Sequence, residues 1–190
     1  MGKFKIAYDT GIEGLKVIEN ARFGDSRGYF MESYQKNDFE ELGITDEFVQ
    51  DNQSYSKKGV IRGLHFQNGI HSQAKLVRVI KGEVYDVAVD LREGSPTYGK
   101  GYGVLLTEDN NLQFYIPENF AHGFLVLSDD AIFCYKVNKF YKPGDEGGLI
   151  WNDPDVNLSW PLEKVGGIDN LIFSDKDTKW PTLKELKNNK

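Results

Sequence analysis

The chain has little of what would staple, anchor or metallate a protein. Of its 190 residues only Cys134 is a cysteine, so no disulfide can close within it. A lone thiol suits a reducing compartment, and Cys134 reads as a packed strand position rather than a nucleophile. No apolar run approaches the length of a membrane span. Residues 1–14 lack the apolar core of a signal peptide, and Ile6 stands where a myristoylation signal needs Ser or Thr. Together these absences predict a soluble, cytoplasmic protein with no membrane partner. Basic charge is short as well, with 23 Lys and Arg against 29 Asp and Glu and a net charge of -6. That argues against a nucleic-acid partner, although a local cluster of Arg and Lys can still hold a diphosphate. Histidine is scarce: His65, His71 and His122 are the only three, and no His-x-His pair exists. That spacing argues against a metal site, since alternate strand residues are what usually converge on one ion.

What is present points to β-structure. Ten Tyr and 12 Phe favour half-buried pleated surfaces, and the length fits a single domain, 1–190, with a real core. Glu83 to Leu91 alternates, with Tyr85, Val87, Val89 and Leu91 on one face and Asp86 and Asp90 on the other. Leu76 to Ile80 is expected to pair with it through a Lys81-Gly82 hairpin turn. Val104 to Leu106, Leu112 to Ile116, Gly123 to Leu127 and Ala131 to Phe140 follow, separated by turns at 109–111, 128–130 and 143–144. This spacing predicts an all-β antiparallel sandwich or barrel. Helix is sparse: Asn37 is expected to cap a short helix ended by Gly43, and Pro181 to Lys190 to form a turn or two.

The stretch Arg62-Gly63-Leu64-His65-Phe66-Gln67, followed by Gln73-Ala74-Lys75-Leu76, sets an imidazole and an ammonium ten residues apart. Such a pair can take a proton from carbon and hold the charge left behind. Taken from the residues alone, however, each histidine reads as structural, with His71 solvated in a polar loop and Lys75 on the surface. Tyr135 alternates with Phe133 and Val137 and serves equally well as a core tyrosine. Trp151 and Trp160 read as structural aromatics rather than base stackers.

Ten blocks, in order, change that balance. They are 25–32, 48–52, 62–67, 73–76, 86–90, 95–97, 116–124, Tyr135-Lys136, 151–154 and 174–177. In these the chain resembles the dTDP-4-dehydrorhamnose 3,5-epimerase family over nearly its whole length. The resemblance implies a cupin-like jelly-roll β-barrel that needs no metal or cofactor and acts on a dTDP-linked 4-keto-6-deoxy sugar. It implies His65 as base, Asp177 as the carboxylate orienting it, Lys75 as the cation at the enolate oxygen and Tyr135 as the acid on the opposite face. It further implies Arg62 and Lys176 as phosphate or sugar contacts, and His122 and Glu146 as polar groups of the sugar pocket. Arg27, Glu32, Gln50 and Asn52 resemble nucleotide contacts, and Tyr29 a stacking ring for thymine. Phe140, next to Tyr141, stands where some relatives carry tyrosine, which implies a bearing on selectivity between carbons 3 and 5. Family members usually form homodimers with exchanged N-terminal strands, so Arg27 and Glu32 are expected to serve the partner's site. An epimerase acting at one carbon would keep the same four catalytic residues. A non-catalytic sugar-binding barrel would be free to lose His65 or Asp177, and a metal-dependent oxygenase would need the absent His-x-His.

Overall fold

The computed structural model describes residues 3–188. Thirteen strands form it: β1 (Phe4–Tyr8), β2 (Lys16–Asn20), β3 (Arg22–Asp25), β4 (Gly28–Met31), β5 (Gln50–Lys57), β6 (Ile61–Gln67) and β7 (Lys75–Lys81). The rest are β8 (Glu83–Asp90), β9 (Gly101–Thr107), β10 (Leu112–Ile116), β11 (Phe120–Val126), β12 (Asp130–Val137) and β13 (Glu146–Gly148), with two short helices, α1 (Lys36–Glu41) and α2 (Leu183–Asn188). A six-stranded sheet, β1-β2-β10-β7-β12-β5, faces a five-stranded sheet, β13-β6-β11-β8-β9, while β3 and β4 form a separate hairpin. All pairings between these strands are antiparallel. The architecture is the expected all-β sandwich.

The core follows from strand alternation, which sends every second side chain into the space between the sheets. Val17, Val77, Val79 and Phe133 from one sheet meet Val84, Ala88, Val104 and Phe124 from the other. Both outer faces are partly covered too. Phe39 of α1 packs with Phe4, Ile18 and Leu76 outside the larger sheet. Leu183 and Leu186 of α2, with Val156 and Leu158, pack on Leu64, Val87 and Val89 outside the smaller one. The chain after β13 therefore wraps the five-stranded sheet.

Three expectations are corrected. β7 and β8 do not form a hairpin: β7 lies in the larger sheet and β8 in the smaller. Val77 and Val79 pack face to face against Val84 and Ala88, so burying both apolar faces wins over edge pairing. Gly82 turns the corner with φ of 81°, where a Cβ would stand 2.2 Å from the Asp130 carbonyl oxygen. The cap of α1 is Gln35, not Asn37; its side chain accepts from the Asp38 amide at 3.0 Å. Gly43, at φ of 77°, does end that helix. The predicted C-terminal turns are α2, with 189–190 outside the described residues. The strand expected to run to Phe140 stops at Val137, because Asn138 leaves the ladder to bond Ala74, Asp46 and Glu118. Among the described residues no helix is long and apolar enough to cross a membrane.

Candidate active site

His65 owes its position to two glycines. A Cβ on Gly63 would lie 2.6 Å from Gly123 Cα, and one on Gly123 would lie 2.4 Å from the Arg62 carbonyl oxygen. Without side chains there, β6 and β11 approach closely and His65 sits opposite His122. Both strands belong to the smaller sheet, and the cleft of about 560 Å³ opens beside them toward the larger one.

His65 Nε2 faces Asp177 Oδ1 at 2.5 Å, across 112 positions of sequence. Because a carboxylate only accepts, Nε2 carries the hydrogen and the lone pair is left on Nδ1. Asp177 Oδ2 accepts from the Ser174 hydroxyl at 2.7 Å, and its side chain is almost fully buried. Burial holds the His65 imidazole below its ordinary value, an effect that Asp177 opposes. Lys75, at the start of β7, lies under the same strand with Nζ 3.5 Å from the His65 carbonyl oxygen. Burial lowers its ammonium to about 8, with Asp86 pulling the other way. Tyr135 on β12 faces the cleft; burial raises its phenol and Arg62 opposes the rise. The cleft thus gathers a neutral imidazole, a cation and a phenol, the groups that proton transfer at carbon requires.

Eight of the residues singled out in the sequence line this one cleft: His65, Lys75, Tyr135, Asp177, Arg62, His122, Glu146 and Lys176. Arg62 Nε donates to Ser56 at 3.1 Å, and Lys176 pairs with Glu146 at 3.3 Å. Lys75 is buried rather than a surface lysine. His122 donates through Nε2 to both oxygens of the fully buried Asp86, at 3.0 and 3.1 Å. His71 is not simply solvated, because its Nδ1 meets Asp145 Oδ2 at 2.6 Å. Among the described residues no group of three or more His, Cys, Asp or Glu is set to hold a metal ion.

Five others lie outside the cleft. Arg27, at the turn of the β3–β4 hairpin, is exposed and paired with Asp25; Glu32 pairs with Lys3. Tyr29 lies under the Arg22 guanidinium, 3.6 Å from the ring centroid. Gln50 and Asn52 bond each other at 2.8 Å on β5, in the alternating row that leads to cleft residue Ser54. Phe140 is exposed and does not line the cleft, whereas its neighbour Tyr141 does, beside Glu146, whose carboxylate raises the phenol. Trp151 and Trp160 are structural, the second donating to the carbonyl of the first at 2.9 Å. Sequence reasoning missed Trp180, whose indole stands edge-on to His65 with centroids 5.9 Å apart. Its only sequence signal is its place three residues after Asp177.

Fold and cleft together define a cupin-type β-barrel equipped for acid–base chemistry. A family profile described as dTDP-4-dehydrorhamnose 3,5-epimerase matches residues 9–185. The chain belongs to that family. A dTDP-4-dehydrorhamnose 3,5-epimerase of Methanothermobacter thermautotrophicus is 51% identical over 176 residues, covering 93% of each chain. The solved structure of the Elizabethkingia anophelis enzyme of that name superposes with a TM-score of 0.90 at 47% identity, covering 96% of this chain and 98% of its own. The Legionella pneumophila dTDP-6-deoxy-D-glucose-3,5-epimerase, solved with dTDP-4-keto-L-rhamnose, gives 0.90 at 46% identity over 98% of this chain and 96% of its own.

Proposed function

We propose that this protein is an isomerase that converts dTDP-4-keto-6-deoxy-D-glucose to dTDP-4-keto-L-rhamnose, in dTDP-L-rhamnose biosynthesis. The observation that carries the catalytic assignment is the short contact between His65 and buried Asp177, in a cleft that Lys75 and Tyr135 also line. Carbons 3 and 5 flank the ketone at carbon 4, so their protons are weakly acidic. Neutral His65 takes the proton on Nδ1, and Asp177 stabilises the imidazolium, as a carboxylate does in a protease triad. The bonding pair moves onto the ketone oxygen, where the Lys75 ammonium holds the enolate. The Tyr135 hydroxyl then delivers a proton to the opposite face, and proton exchange with solvent resets both groups for the second carbon. Imidazole and phenol carry the proton transfers, ammonium holds the enolate charge, and the Asp177 carboxylate balances the imidazolium.

Binding is read from the rest of the cleft. Arg62 and Lys176 meet the phosphates through charge-assisted bonds, while His122 and Glu146 contact the sugar. The Legionella pneumophila relative holds dTDP-4-keto-L-rhamnose, which supports a dTDP-sugar as ligand. Gln50 and Asn52 reach the nucleotide along β5. The β3–β4 hairpin, with Arg27, Tyr29 and Glu32, serves a partner subunit's cleft in a homodimer; its exposed position away from its own cleft supports that arrangement.

Proton NMR of dTDP-4-keto-6-deoxyglucose in deuterium oxide tests the reading. Deuterium entering at both carbons 3 and 5 is expected. Entry at one carbon would make the protein a mono-epimerase, and no entry would leave it a sugar-binding barrel. His65→Ala should abolish exchange, with a loss of at least about 10²-fold.

A further inference from the structure

We propose that Trp180 is a positioning residue for the His65–Asp177 pair, covering one side of it with the indole and donating to the carboxylate. The inference rests on the acid–base reading of that pair. β13 brings Gly148 opposite His65, leaving a side-chain-free position beside the imidazole. The indole fills it: a Cβ on Gly148 would stand 2.1 Å from Trp180 Cδ2. The ring meets His65 edge-on at 73°, and Nε1 donates at 3.4 Å to Asp177 Oδ1, the same oxygen that faces His65 Nε2.

The indole is anchored behind. The carbonyl of Pro181 accepts from the Ile150 amide at 2.9 Å, and Leu183 of α2 packs on the five-stranded sheet, its amide bonded to buried Asp153 at 2.7 Å. Trp180 therefore ties the turn that carries Asp177 to a rigid surface and keeps water from one side of the base. The charged and titratable groups around His65 are Asp177 and Lys176 on that turn, Lys75 on β7, Glu146 on β13 and His122 on β11. Because burial is the leading influence on the imidazole, uncovering it moves protonation to higher pH.

The test compares Trp180→Phe, which keeps a ring but no donor, with Trp180→Ala and a His65→Ala control, all in the full chain. The readouts are kcat, KM, the pH profile of kcat/KM and the melting temperature. Trp180→Phe should lose about threefold in kcat and Trp180→Ala about tenfold or more, with KM within about twofold. The acid limb of Trp180→Ala should move to higher pH. Wild-type kcat and an unmoved acid limb in both variants would overturn the proposal. So would a lowered melting temperature with an unmoved limb, which marks a merely structural ring. Full turnover by His65→Ala would instead overturn the acid–base reading beneath it.

Discussion

Under the proposed mechanism, Lys75 and His65 between them set the pH range in which the cleft can work. His65 must be neutral to accept a proton, and burial holds its imidazole below 6.5, so the acid limb of kcat/KM should lie below that pH. Lys75 must be charged to hold an enolate; its ammonium titrates at about 8, so activity should fall as pH rises through that value. Tyr135 must also keep its proton, but burial raises its phenol and leaves Lys75 to set the basic limb. A bell-shaped profile with its plateau between these limits is expected, and a basic limb well above pH 9 would contradict the role given to Lys75. Lys75→Met should lower kcat by about 10²-fold, with a smaller change in KM, because the cation acts on charge that develops only in the transition state. The spacing of His65 and Lys75 was visible in the chain. The meeting of His65 with Asp177 was not, because nothing local links residues 112 apart; family resemblance alone supplied it.

The strands that build the cleft are the ones hydrophobic periodicity reads least well. β5 runs Gln50-Asp51-Asn52-Gln53-Ser54-Tyr55-Ser56-Lys57, a polar sequence because part of its inward row lines the cleft rather than the core. Its alternation is one of burial, not of hydropathy, so it was not foreseen as a strand. β10 and the latter part of β11 were legible because they are buried on both faces and, Gln113 apart, apolar. The β7–β8 corner failed for a related reason: periodicity identifies two strands and says nothing about whether they pair by edge or by face. β6 and β11 carry their information in glycine instead. Gly123→Ala would push a methyl against the Arg62 carbonyl, forcing apart the strands that hold His65 and His122. Thermal or denaturant unfolding should show a loss of about 1–3 kcal/mol, and unchanged stability would mean that β6 has room to shift.

A single chain brings together the groups proposed for proton transfer, while Arg27, Tyr29 and Glu32 do not line its cleft. Arg27 and Tyr29 stand on a ribbon whose residues are exposed along nearly its whole length, with Phe23 and Phe30 paired in register and open to solvent. An exposed aromatic pair on the hairpin that carries Arg27 suits contact with another molecule, and two-fold symmetry would let each hairpin reach the other subunit's cleft. Complementation distinguishes this from a hairpin that serves its own chain. Arg27→Ala and His65→Ala protomers, each weak alone, are co-refolded in equal amounts. If the hairpin serves its neighbour, every mixed dimer carries both defects in one site and none in the other. Random pairing makes half the dimers mixed, so about a quarter of wild-type turnover should return. If the hairpin serves its own chain, each site of the mixed dimer keeps one defect and activity stays at the average of the two variants. That outcome, or a monomer with full activity, would confine the site to one subunit.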